Sequence, residues 1–221
     1  MVRADSQSAG RGQFGSRWES AVGQNLTLSI ILYPNWLEIK HQFYLSMAVA
    51  LALVDLASQH LGPAHPIAPT AKWPNDLYLG DQKAAGILIQ NALSGSQWMS
   101  AVIGIGLNVN QTIFPNLMAT PTSLAAVTGQ PLDLDVVAET LFECLERRYL
   151  QLKAGHHADI HQEYEACLFR RGVASEFQRP NGEKFVGIIS GVQPDGRLSI
   201  ETARGRELFG WKEVALLDRR V

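Results

Sequence analysis

Cysteine is almost missing from this chain: Cys144 and Cys167 are the only two among 221 residues. They form neither a CxxC pair nor a metal-ligand spacing, and both fall in apolar, helix-like stretches. They read as reduced packing residues, which excludes a disulfide scaffold and gives no reason to expect a thiol nucleophile. An excess of one charge is also missing. Nineteen Lys and Arg against 21 Asp and Glu leave a net charge of −2, so the basic footprint of a general nucleic-acid binder is absent. No apolar run is long and unbroken. The best, Phe43 to Leu61, is interrupted by Ser46, Asp55, Ser58 and His60, too polar for a membrane span. The start is polar from Arg3 to Ser8 and shows no signal peptide. Internal repeats and low-complexity tracts are lacking. His156, His157 and His161 lack the glutamate of an HExxH motif and read as solvated helix-end residues, so no metal site is expected. These absences fit a cytoplasmic enzyme whose partners include neither nucleic acid nor a membrane.

What is present is ordinary globular composition, 46% hydrophobic and 18% charged, with a length that suits one large and one small domain. Residues 1–9 read as the end of a strand whose beginning lies upstream. Residues 10–17 must be a loop. Asn25 to Tyr33 alternates and reads as a strand. Leu37 to Leu61 is the strongest helix, stopped by Gly62-Pro63. Ala71 to Asp76 is a loop or strand edge around Pro74. Lys83 to Ala92 and Trp98 to Val109 read as consecutive buried strands, with turns at Gly80-Asp81 and at Ser94 to Ser96. Gln111 to Thr122 is a loop. Ser123 begins a short helix, Asp135 to Lys153 forms a longer one, and His161 to Phe169 is helical. Arg147, Arg148 and Lys153 read as a solvated helix face, and Arg170, Arg171, Arg204 and Arg206 as surface. Beyond Gly172, the turn signals Asn181-Gly182 and Pro194-Asp195-Gly196 separate short strands, so the last 50 or so residues read as a small β barrel.

Three segments carry chemistry. Gly10-Arg-Gly-Gln-Phe-Gly15 matches GxGxxG. A dinucleotide site needs a helix after this loop, whereas here a strand follows. A protein kinase needs HRD and DFG downstream, and neither occurs. A Walker loop needs Gly-Lys-Ser/Thr. A plain glycine turn remains open, but Arg11 and Arg17 suit an anion, because guanidinium groups clamp phosphate or carboxylate bidentately. The second segment, Lys72-Trp-Pro-Asn-Asp76 with Lys83-Ala-Ala-Gly86, opens a buried strand with a lysine, which requires a partner. Strand-end lysines with Asp76 as a turn cap are the alternative. In the third, Gly104-Ile-Gly-Leu-Asn108, two glycines in a strand indicate close approach of a ligand or of another backbone.

Together these segments resemble the biotin-protein ligase family. Gln7 to Trp18 is similar to its Ala-Gly-Arg-Gly loop ending in Trp. Lys72 to Asp76 is similar to its Lys-Trp-Pro-Asn-Asp box, Lys83 to Leu88 to its Lys-x-x-Gly-Ile-Leu box, and Gly104 to Asn108 to its Gly-x-Gly-x-Asn box. The resemblance implies an α+β fold. A class II synthetase-like biotin/lipoate ligase domain, with a mixed or antiparallel sheet, would cover residues 1–170. An SH3-like barrel would cover 171–221. No winged-helix segment precedes the catalytic part, as in the monofunctional members. The implied activity is ATP-dependent biotinylation of a lysine on the biotin carboxyl carrier protein of acetyl-CoA carboxylase, through biotinyl-AMP, by a monomer or homodimer. Mg²⁺ would arrive with the nucleotide rather than in a protein cage.

The resemblance also implies roles. Lys83 and Arg11 would offset the repulsion between biotin carboxylate and α-phosphate, and Asp76 would orient the incoming lysine or help hold the metal. Gln7, Gly10, Arg11, Gly12, Gln13 and Lys83 would bind biotin over a floor kept thin by Gly86, Gly104 and Gly106. Trp18, Lys72, Asn75 and Asn108 would bind ATP, Trp18 by stacking on adenine and Asn108 by hydrogen bonding. Two departures stand out. Gln13 and Phe14 occupy positions that are commonly basic, and a Ser-Thr-Asn segment that contributes to the family's biotin site is absent before the loop. That absence keeps a binding-only module as an alternative. A lipoate or octanoate ligase or transferase is the other, although its Arg-Arg-x-Ser-Gly-Gly-Gly run is missing.

Overall fold

The computed structural model describes residues 1–15, 17–95, 97–114 and 120–220, without the side chains of Phe14 and residues 218–220. The expectation for the Phe14 side chain and the middle of the Gln111–Thr122 loop therefore lie outside the described residues. Six strands form the first sheet: β1 (Val2–Ala4), β2 (Leu26–Leu32), β3 (Pro69–Lys72), β4 (Asp76–Leu79), β5 (Gln82–Ser94) and β6 (Gln97–Leu107). Their order is β1-β2-β6-β5-β4-β3, antiparallel at every pairing. Alternation along β6 sends Ile103, Ile105 and Leu107 into the core, and so turns Val102, Gly104 and Gly106 to the opposite face.

Helix α1 (Gln42–Leu61) covers the apolar face, with Met47, Leu53 and Leu56 fully buried. It is long and apolar enough to cross a membrane, but here it is the core helix. It begins later than Leu37. The Leu37 N–H closes a turn onto the Pro34 carbonyl to bury the Leu37 side chain, and Ile39–His41 follow as a 3-10 turn. Helix α2 (Leu124–Thr128) is capped by the Ser123 hydroxyl, and α3 (Leu134–Lys153) by the Asp133 carboxylate. Gly155, at φ 86°, separates α3 from α4 (His157–Ala166), which starts four residues before the expected His161.

A second antiparallel sheet follows: β7 (Ala174–Gln178), β8 (Lys184–Val192), β9 (Leu198–Thr202), β10 (Gly205–Phe209) and β11 (Ala215–Arg220), in the order β10-β9-β8-β7-β11. Gly182 and Gly196 take positive φ at the two expected turns. The rings of Phe177, Phe185 and Phe209 stack inside it. The fold is α+β, as expected, and both sheets are antiparallel.

Several surface expectations are overturned by tertiary contacts. The Arg170 side chain is only 7% exposed, packed over Phe169 and facing Asp81. Arg148 is largely enclosed between Asp55 and Glu163, with its Nε 2.7 Å from Asp55 Oδ2. His157 packs against Tyr44 with Nε2 buried, and His161 Nε2 donates to the Val192 carbonyl at 2.6 Å. The cysteines are free, and burial pushes the Cys167 thiol up to about 11, so it stays protonated at neutral pH.

Candidate active site

The sheet face away from α1 floors a cavity of about 360 Å³. Register lays its floor in rows across β2, β6 and β5: Thr27, Gly106 and Gly86 in one, Ser29, Gly104 and Leu88 in the next. The Gly-rich loop forms a wall. Its base is closed by Trp18 N–H donating to the Gly10 carbonyl at 3.1 Å and by pairing of Arg11 with Arg17. Gly10 cannot be anything larger, because a Cβ there would lie 2.3 Å from the Trp18 carbonyl oxygen.

Lys83 reaches this cavity because of a bulge. Asp76 pairs with Gly86 and Leu77 with Ala85, but Tyr78 then pairs with Lys83, leaving Ala84 as the extra residue. Regular alternation from Gly86 would point Lys83 to the other face of the sheet, and one inserted residue reverses it. Backbone bonds from Lys83 N–H to the Thr120 carbonyl and from Thr122 N–H to the Lys83 carbonyl hold the bulge. Lys83 Nζ then sits 2.7 Å from Asp76 Oδ1, both groups largely screened from solvent. The contact is ionic rather than a directed hydrogen bond, since Asp76 Oδ1 has no donor at hydrogen-bonding geometry among the described residues. Lys83 Nζ, Asp76 Oδ1 and the Trp18 ring converge on Gly86, each 3.4–3.6 Å from where its Cβ would stand.

The structure brings most of the expected residues to this cavity. Gln7, Arg11, Gly12 and Gln13 form the loop wall, Asn75, Asp76 and Lys83 the β4–β5 end, and Gly86, Gly104 and Gly106 the floor. Asn75 also fixes the turn to β5, donating from Nδ2 to the Ile87 carbonyl at 2.7 Å. Three expected residues are not in the lining. Gly10 is buried at the loop base. Asn108 is buried, with Nδ2 donating to the Thr122 carbonyl and Oδ1 without a partner among the described residues. Lys72 donates to the Tyr78 hydroxyl at 2.8 Å and faces an adjoining cavity of about 390 Å³. That second cavity is completed by Trp211 and Lys212 of the second sheet's β10–β11 connection, and it shares Gln13, Asn75 and Asp76 with the first. Thr27, Ser29 and Gln90 also line the main cavity and were missed. The alternation of β2 carries the signal for Thr27 and Ser29 and that of β5 the signal for Gln90, but only their register against β6 aims them.

Arg11, Arg17 and Lys83 face a single carboxylate, Asp76, among the described lining residues, so the cavity favours an anion. Among the described residues no cluster of three or more His, Cys, Asp or Glu could hold a metal. The arrangement can hold a carboxylate beside a phosphate and stabilise charge developing between them.

Residues 1–108 match the Biotin/lipoate A/B protein ligase family. The biotin–[acetyl-CoA-carboxylase] ligase of Paracoccus denitrificans is 31% identical over 219 residues, 96% of this chain and 88% of that protein. The chain belongs to the biotin protein ligase family. Among other biotin protein ligase relatives, the bifunctional ligase/repressor BirA of Bacillus subtilis is 32% identical over 208 residues. The match spans 93% of this chain but 62% of that longer protein. The Aquifex aeolicus biotin protein ligase, solved in complex with biotin and ATP, superposes with a TM-score of 0.79 at 25% identity, covering 99% of this chain and 88% of that one. The glycine-rich loop, the Lys72–Asp76 turn, the Lys83 strand and the Gly104 strand thus meet at one site in this biotin protein ligase family member.

Proposed function

We propose that the chain catalyses ATP-dependent biotinylation of a lysine on a biotin carboxyl carrier protein, a reading supported by the name of a relative, biotin–[acetyl-CoA-carboxylase] ligase. The bulge that turns Lys83 into a cavity walled by Arg11 and Arg17 carries this reading. A biotin carboxylate oxygen attacks the α-phosphorus of ATP, the bond to the β-phosphate breaks, and pyrophosphate leaves. Lys83 and Arg11 lower the repulsion between the two anions. In the second step the acceptor amine attacks the acyl carbon and AMP leaves. Once Lys83 engages the acyl phosphate, Asp76 is released to orient the amine and take its proton.

The other assignments follow the same reading. Gln7, Gly12 and Gln13 line the biotin side, with Gly10 shaping the loop, and Trp18 stacks on adenine. The Oδ1 of Asn108, without a partner among the described residues, is an acceptor suited to the adenine amine. Asn75 and Lys72 lie toward the phosphates. Mg²⁺ fits as a passenger of the nucleotide, with Asp76 the cavity's carboxylate donor. Residues 1–170 act as the catalytic unit and 171–221 as a small β unit. The setting is cytoplasmic, consistent with free thiols, with no nucleic acid or membrane as partner and a monomer or homodimer as the working form.

The test is transfer of labelled biotin to a purified carboxyl carrier domain with ATP and Mg²⁺, run beside labelled lipoate and octanoate. Covalent label from biotin alone supports the reading. Binding without transfer, or preference for the lipoyl or octanoyl substrate, overturns it.

A further inference from the structure

Gly104 and Gly106 stand two residues apart on β6 and face the same cavity, yet their missing side chains leave room for different things. A Cβ on Gly106 would lie 2.3 Å from Trp18 Cε2, 2.6 Å from Nε1 and 2.7 Å from Cδ2. Real atoms do not approach so closely, so the space Gly106 leaves is filled by the flat indole. A Cβ on Gly104 would meet only Leu88, at 3.6 and 3.7 Å, within ordinary contact. The space it leaves belongs to the cavity.

We infer that these two glycines divide the floor into an acyl seat at Gly104 and an indole seat at Gly106, making Gly106 a positioning residue for the nucleotide that acts through Trp18. The inference rests on the proposed function and deepens it. An indole laid on a glycine is held at a fixed height at the root of the Gly10–Trp18 loop and presents its free face to a planar base. A methyl group at residue 106 lifts or tilts the ring and spoils that face, while leaving the acyl row untouched. The acyl row has its own chemistry. Ser29 and Leu88 flank Gly104 across the strands, one shoulder polar and one apolar, which suits a bicyclic ring with a ureido edge and a hydrocarbon body. A methyl group at residue 104 fills that seat directly.

The experiment compares Gly104→Ala and Gly106→Ala, each also in a Trp18→Ala background. Biotin affinity is read by calorimetry without nucleotide, and KM for ATP by biotin-dependent pyrophosphate exchange. Gly106→Ala is expected to raise KM for ATP about tenfold or more, the scale of losing one base–aromatic stack, with biotin affinity within about twofold. Gly104→Ala is expected to do the reverse. In the Trp18→Ala background Gly106→Ala should add nothing, because the group it displaces is gone. This double variant keeps the test alive should the single one fold poorly. Both alanines weakening the same ligand, or Gly106→Ala still raising KM for ATP without Trp18, overturns the division. Absence of biotin binding by the unaltered protein overturns the proposed function itself, and the division falls with it.

Discussion

Lys83 shows how one residue's meaning depends on its neighbours. A lysine opening a buried strand demands a partner, and the sequence announces that demand without supplying the answer. Asp76 is the answer, at 2.7 Å, but only because Ala84 is an extra residue in the pairing. Lys83→Ala is expected to slow biotin-dependent pyrophosphate exchange by about 10²–10³-fold, the effect of removing one preorganised contact to developing charge. A near-normal exchange rate would remove Lys83 from the reaction. His157 is a residue of a different kind. Burial, and then the nearby His41, lower its pKa. An unfolded histidine takes up a proton near pH 6.5, while the folded protein resists it, so the unfolded state binds more protons below that value. The stability His157 contributes is therefore present above about pH 6.5 and is lost as pH falls through its folded value. A melting-temperature profile from pH 8 to 5 should decline less steeply in His157→Phe than in the unaltered chain. Parallel profiles would place the acid sensitivity elsewhere.

Elements were legible in the sequence where the signal is local. Ser123, read as the start of a helix, caps α2 as the chemistry of its side chain requires, and the helix expected from Asp135 starts one residue earlier, capped by Asp133. Asn181-Gly182 and Asp195-Gly196 are turns because glycine accepts positive φ. Strand β2 follows from alternation. What stayed hidden needed a second element to define it. The bulge exists only in the pairing of β4 with β5. Ser29 and Thr27 become floor residues only through their register against β6. Arg148 is a surface residue on an isolated helix and an enclosed one between α1 and α4. The site was therefore legible as a set of motifs, but the aim of each side chain was not. Cap strength gives an element-scale check. Asp133 Oδ1 accepts from the N–H groups of Asp135 and Val136. Asp133→Ala is expected to cost about 1 kcal/mol, which lowers Tm by about 2–4 °C in a protein of this size. An unchanged melting curve would mean that α3 is held by packing alone.

At the scale of the whole molecule, partly buried charge ties the helices together, and hydrogen bonds between side chains and backbone tie the second sheet to the rest. Asp55 of α1 meets Arg147 and Arg148 of α3, and Arg148 continues to Glu163 of α4. Removing one partner from an enclosed network leaves the other charge stranded. Asp55→Ala should destabilise by about 2–3 kcal/mol, somewhat below the range for fully buried pairs, in denaturant titration. A loss below about 0.5 kcal/mol would class the network with exposed surface pairs. The Trp73 indole N–H, in the turn between β3 and β4, donates to the Gly196 carbonyl at 2.8 Å, and the Val192 N–H of β8 donates to the Glu165 carboxylate of α4 at 3.0 Å. Trp73 belongs to the turn that also carries Asn75 and Asp76, so the second sheet braces the site from behind. The two cavities have Gln13, Asn75 and Asp76 as a party wall. Such a wall gives the molecule two doorways onto one carboxylate. Under the proposed function, a small reactant lodged behind the first need not vacate before a bulky caller arrives at the second, and a charged cargo held between them has no need to step outdoors.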